Sequence, residues 1–159
     1  MAQCILRFLR ARLIDRQIRT NLFFSAFVHA ERQAVAKQFR FIEVGAETRI
    51  VERGGAPDGL FVVLSGSLAV LALGENSSSR ADAEPSKEVA TLGQGDVFGG
   101  LSLIAGKPSE VDVLTRTKCW LVVLGEGRFR RIMKANPRLD RVLRQSAHQK
   151  GERAKAIAL

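Results

Sequence analysis

Residues 98–113 read FGGLSLIAGKPSEVDV, and this stretch holds the residue types best placed to bind something. Two adjacent glycines, Gly99 and Gly100, lead through Leu101 and Ser102 into a short apolar run with helical character. The first N–H groups of a helix have no partner inside it and lie at the positive end of its dipole, so such a start can hold an anion without a charged side chain. Glu110 and Asp112 oppose an anion there, and Lys107 is the nearest cation that could reach back. The other chemistry-bearing residues read as structural. Gly93, Gly95, Gly99 and Gly100 share letters with a dinucleotide fingerprint but lack the long following helix and acidic ribose partner, so they read as turn glycines. Ser65 and Ser67 flank Gly66 in a tight turn that is no nucleophile elbow. His29 and His148 stand far apart in unlike contexts, which suits capping or exposure better than metal binding. Trp120 sits in an apolar strand and reads as core. Cys4 and Cys119 form no C-x-x-C, so neither a disulfide framework nor a zinc site is expected, and a reducing, cytoplasmic setting fits best. No catalytic constellation emerges, and the chain is expected not to be an enzyme and to need no cofactor or metal.

The elements that must position this stretch follow from composition and period. With 159 residues, 46% hydrophobic and 26% charged, the chain suits one domain with attached helices. Its net charge of +9 is segregated. Residues 1–20 carry five Arg and one Asp, residues 21–125 ten basic and twelve acidic groups, and residues 126–159 ten basic and three acidic groups. Cations on two flanking helical segments read first as solvated faces, and second as contacts for nucleic acid, an anionic membrane or an acidic partner. Residues 1–20 form an amphipathic basic helix, with Ile5, Leu9, Leu13 and Leu6, Ile14, Ile18 at helical spacing. Its arginines interrupt any run long enough for a signal peptide or membrane span. The aromatic cluster Phe23, Phe24, Phe27 anchors a helix opened by His29, with Val35 and Phe39 on one face.

From Arg40 onward, short β-branched and aromatic runs alternate with glycine turns, which predicts a small sandwich, jelly roll or barrel. Residues 74–88 are polar and Ser-rich and read as a mobile hairpin loop. Helical period returns over 128–145, where Pro137 splits two helices and Asn136 is placed to cap the second. Residues 146–159 form a basic tail.

The order LFFSAF, then GGAPDGLFVVLSGSLAV, then LGQGDVFGGLSLIAGKP resembles the cyclic nucleotide-binding domain family over about residues 20–145. The resemblance implies an α+β fold: a double-stranded β-helix, or jelly-roll-like β-roll, flanked by N-terminal and C-terminal helices. It makes residues 98–113 the phosphate-binding cassette and names Phe98, Gly99, Gly100, Leu101, Ser102, Pro108, Ser109 and Val111 as candidate ligand-binding positions. Phe61, Val63 and Val111 would supply the apolar wall for a base. In family members that bind cyclic AMP or cyclic GMP, a Glu accepts from the ribose hydroxyl and an Arg pairs with the cyclic phosphate. Those positions are Gly100 and Ser109 here, so the cassette is degenerate. Losing a desolvated Arg–phosphate interaction costs about 2–5 kcal/mol, or roughly thirty- to several-thousand-fold in affinity.

The resemblance therefore implies a non-enzymatic regulatory or sensor module with weakened or lost cyclic nucleotide binding, its ligand a cyclic nucleotide or another anion. The alternative is a ligand-independent dimerisation or protein-docking scaffold that uses residues 1–20 and 128–145, with a protein partner or a second copy as occupant. Membrane contact ranks below docking on protein. DNA binding of the kind seen in bacterial regulators with this sensor is not expected of this chain alone, because the residues after Pro137 are too few for a winged helix.

Overall fold

The run GLFVVLS is apolar at every position from Leu60 to Leu64, so a strand there needs cover on both faces. In the computed structural model, which describes residues 2–56, 58–73 and 86–157, this run is strand β3 (Gly59–Ser65), and both faces are covered. Phe61 and Val63 face the inside of a β-roll with Leu68, Leu92, Val113, Cys119, Leu121 and Val123. Leu60 faces a second core made by the helices, with Phe23, Phe24, Phe27, Leu103, Phe129, Leu139 and Leu143. Strand β3 is thus the wall shared by roll and helices.

Among the described residues, eight strands form two four-stranded antiparallel sheets. One contains β1 (Arg40–Val44), β8 (Cys119–Gly125), β3 and β6 (Val97–Phe98), in that order. The other contains β2 (Arg49–Val51), β7 (Asp112–Thr115), β4 (Leu68–Ala72) and β5 (Lys87–Leu92). This is the predicted β-roll. Residues 74–85 of the expected hairpin loop lie outside the described residues, and β5 already begins at Lys87.

Six helices flank the roll among the described residues: α1 (Ala2–Thr20), α2 (Leu22–Ser25), α3 (His29–Ala36), α4 (Gly100–Ala105), α5 (Glu126–Ala135) and α6 (Arg138–Ile157). Asn21 joins the first two to the body. Its Oδ1 accepts from Phe23 N at 3.0 Å, capping α2, while its Nδ2 donates to Gln17 Oε1 and to Gly95 O, both at 2.8 Å. The segment expected as a basic tail is the continuation of α6 as far as Ile157.

Two local expectations are corrected. Asn136 does not cap α6 with its side chain. Its Nδ2 donates back to Ile132 O at 3.4 Å at the end of α5, and only its backbone carbonyl accepts from Leu139 N, at 3.1 Å. Pro137 lies in the turn between the helices rather than at the first helical position. Helix α1 meets the body only through its later turns. Ile18 and Gln17 are buried and Leu13 and Ile14 half-buried, whereas Ile5, Leu6 and Leu9 are exposed. Each four-residue step overshoots a full turn by about 40°, so residues at that spacing spiral around the helix and only the later ones meet the body. The guanidinium of Arg10 completes the docked face, lying 4.3 Å from the Phe41 ring centroid and 3.5 Å from Glu43 Oε2.

Candidate functional site

A cleft of about 300 Å³ opens between β2, the turn after it, the start of β3 and the first turn of α4. Gly99, Ser102 and Ser109 line it, with Phe61 from β3. Three of the eight candidate positions, with Phe61 of the expected base wall, are therefore gathered at one cavity, and Phe98, Gly100, Leu101, Pro108 and Val111 are not among its lining.

The backbone at its rim depends on Gly99, which has φ +88° and precedes α4. A Cβ there would be strained by the dihedral and would overlap the carbonyl oxygen of Gly59, itself a lining residue. Gly100 is buried, and its missing side chain faces away from the roll: a Cβ would meet Leu60 Cδ1 at 2.9 Å and Leu143 Cδ1 at 3.4 Å. The cassette helix thus rests directly on α6. The remaining sequence candidates stand behind or beside the cleft. Phe98 stacks on Phe61 with centroids 4.9 Å apart and planes 6° from parallel, holding that ring in place. Val63 is buried inside the roll and Val111 packs on the same core. Leu101 and Pro108 are exposed and do not line the cleft.

Ser109, which the resemblance sets at the position of the family's phosphate-binding Arg, is buried and locally engaged. Its Oγ lies 2.8 Å from Val111 O, to which it donates, while Val111 N approaches it at 3.3 Å. Its backbone bridges the turn after β2, with Gly54 N donating to Ser109 O at 2.8 Å and Ser109 N donating to Gly55 O at 3.1 Å. Asp112 supports the same turn by accepting from Arg53 N at 2.8 Å, and Arg49 Nε stands 3.9 Å from its Oδ1.

The charges that line the cleft are not those the sequence reading emphasised. Glu110, Asp112 and Lys107 are absent from the lining, and Lys107 is exposed beyond the far end of α4. Glu52 and Asp58 line it instead, with Arg49 as the only cation among the described lining residues. The lining is one negative charge in excess, and its one guanidinium faces Asp112. Glu52 and Asp58 are exposed residues at the rim, where carboxylates suit ligand groups that donate hydrogen bonds and oppose an anionic one. Glu52 and Asp58 sit on either side of the Gly-Gly turn in ERGGAPDG, so their presence near the cassette was visible only as part of a hairpin pattern.

No group of three or more His, Cys, Asp and Glu side chains suited to a metal occurs among the described residues, and no described helix is long and apolar enough to cross a membrane.

The fold is a β-roll with a short helix at its cleft, and residues 41–136 match the cyclic nucleotide-binding domain family. The chain belongs to that family. It is 32% identical over 110 residues to a cAMP-dependent protein kinase regulatory subunit of Yarrowia lipolytica, covering 69% of this chain and 26% of the relative. Its fold matches the regulatory domain of Toxoplasma gondii PKA crystallised with cAMP, at TM-score 0.69 and 23% identity over 81% of this chain and 47% of that one. It also matches the regulatory subunit of a cAMP-independent protein kinase A from Trypanosoma cruzi bound to guanosine, at TM-score 0.73 and 19% identity over 93% and 51% of the two chains. The chain spans about a quarter of the Yarrowia subunit and about half of each of these two structures.

Proposed function

We propose that this chain is a cytoplasmic, non-enzymatic regulatory module whose cleft binds cyclic AMP and cyclic GMP weakly or not at all. The observation that carries this reading is the cleft's charge. The phosphate position holds Ser109, whose hydroxyl is tied to the Val111 carbonyl, and the lining carries Glu52 and Asp58 against one arginine already facing a carboxylate. A cyclic phosphate entering there loses the Arg interaction, about 2–5 kcal/mol, and meets like charge as well.

An uncharged nucleoside escapes both penalties, because its ribose hydroxyls donate to carboxylates. The guanosine-bound Trypanosoma cruzi structure supports the fold's capacity for such a ligand. Regulation would run through α4 and α6. Gly100 lies against Leu143, so a ligand that shifts α4 would shift α6 with it. A second reading, a docking scaffold that works without ligand, is favoured by the exposure of Ile5, Leu6, Phe8 and Leu9 on α1.

Calorimetric titration with cyclic AMP, cyclic GMP, cyclic di-GMP and guanosine tests the first reading. Millimolar or absent binding of the cyclic nucleotides is expected, and low-micromolar binding of any of them would overturn it.

A further inference from the structure

The docked side of α1 carries Arg10, Ile14, Gln17 and Ile18, and the opposite side presents a regular seam to solvent. Ala2, Ile5, Leu9, Arg12, Arg16 and Arg19 are all exposed. They recur at alternating intervals of three and four residues, the spacing that keeps one line of side chains facing a second helix. The seam extends about 26 Å along the helix at 1.5 Å per residue. Its first half is apolar, flanked by the exposed Leu6 and Phe8, and its second half is wholly basic. Ile5 is 57% exposed and Phe8 60%, so this apolar surface is left uncovered among the described residues.

We infer that this seam is a docking site for an acidic amphipathic helix of a partner protein, one that sets apolar residues against Ile5 and Leu9 and carboxylates against Arg12, Arg16 and Arg19. Charge selects this occupant over a second copy. Parallel self-pairing in register sets each of the three arginines against itself. Antiparallel pairing over the full seam sets Ile5 and Leu9 against Arg16 and Arg12. Pairing of the apolar halves alone uses two helical turns, far below the surface a stable dimer buries. A lipid surface is served less well, since an interfacial helix inserts an apolar face along its length, and here that face turns basic after Leu9. The existing partners of the arginines are weak competitors. Arg19 makes an exposed ion pair with Asp15 at 3.1 Å, and Arg12 lies over Phe8 at 5.2 Å.

The inference does not depend on what the cleft binds. Its test is fluorescence anisotropy of the intact chain with a labelled three-heptad helical peptide carrying Leu opposite Ile5 and Leu9 and Glu opposite the three arginines. A matched peptide with Lys in place of each Glu and vesicles of phosphatidylcholine with phosphatidylserine serve as rivals. The acidic peptide is expected to bind at least about tenfold more tightly than the lysine peptide at low salt, with the gap narrowing as salt rises. Arg12→Glu/Arg16→Glu/Arg19→Glu should reverse the preference, and Ile5→Ser/Leu9→Ser should weaken both peptides while the thermal midpoint stays unchanged. Arg16→Glu alone gives the same direction if the triple variant folds poorly. Equal affinity for the two peptides, no binding, retention on anionic vesicles alone, or a dimer in sedimentation that the acidic peptide leaves intact would each overturn the inference.

Discussion

Restoring an arginine at the cassette gives the most direct test of why the cleft should reject a cyclic phosphate. Ser109→Arg places a guanidinium where the family's phosphate-binding arginine stands, with a gross gain of about 2–5 kcal/mol for cyclic AMP. Two costs reduce it. The Ser109 Oγ contacts with Val111 are lost, at about 0.5–1.5 kcal/mol for a net hydrogen bond. The new cation is also attracted by Glu52, Asp58 and Asp112, which compete with the phosphate for it. A net gain of about 0.5–4 kcal/mol remains, or roughly two- to several-hundred-fold in affinity. Isothermal titration of wild type, Ser109→Arg and Ser109→Lys with cyclic AMP reads this directly. Ser109→Lys should gain less, because an ammonium does not reproduce the planar fork. If Ser109→Arg keeps a wild-type melting curve yet binds cyclic AMP no better than wild type, the missing arginine is not what disables the site.

Three further outcomes are expected. Gly99→Ala, forced into positive φ and against the Gly59 carbonyl, should lose about 2–4 kcal/mol and lower the thermal midpoint by roughly 5–15 °C, whereas Gly93→Ala, with open space around it, should leave the midpoint almost unchanged. Burial pushes the Cys119 thiol above its usual range despite contacts with Thr117 and Ser67, so a thiol reagent at pH 8 should modify exposed Cys4 promptly and Cys119 only on unfolding; rapid reaction of both would contradict the buried placement. Lys118, with Arg10 behind it, holds the Glu43 carboxyl below its usual 4.5, so the contribution of this exposed group is present above the unfolded value and is lost as pH falls through the folded one. The stability gap between wild type and Glu43→Gln should therefore close on acidification from pH 7 to pH 3, and a gap independent of pH would show that the charge is not involved.

Most of the roll was legible because burial on two faces leaves a plain mark: unbroken apolar runs at residues 60–64 and 119–124, separated by glycine turns. The cassette was legible for a related reason, since Gly99 and Pro108 bound a short helix of recognisable spacing. Helix α1 was legible as a helix but not in where it docks. Periodicity reports which residues share a face, but a spiral of leucines and isoleucines does not say where along its length the body makes contact. Asn136 shows a similar limit, because an amide before a proline can reach forward to cap or backward to a carbonyl with little difference in sequence. The cleft's electrostatics were the least legible part. Glu110 and Asp112 lie close to Ser109 along the chain, yet Glu52 and Asp58 are the carboxylates that line the cavity, brought there by hydrogen bonds between residues 53–55 and 109–112.

The pairing of β1 with β8 joins residue 44 to residue 119 and closes the first sheet with the earliest and latest strands of the roll. During synthesis, Arg40–Val44 emerges long before β8, its partner in that sheet among the described residues, and β3 likewise waits for β8 to cover its central edge. Contacts so distant along the chain form late and slowly. A ribosome paused before Cys119 would therefore hold an apolar, half-made sheet in the open, and this interval is when the chain has most need of a chaperone.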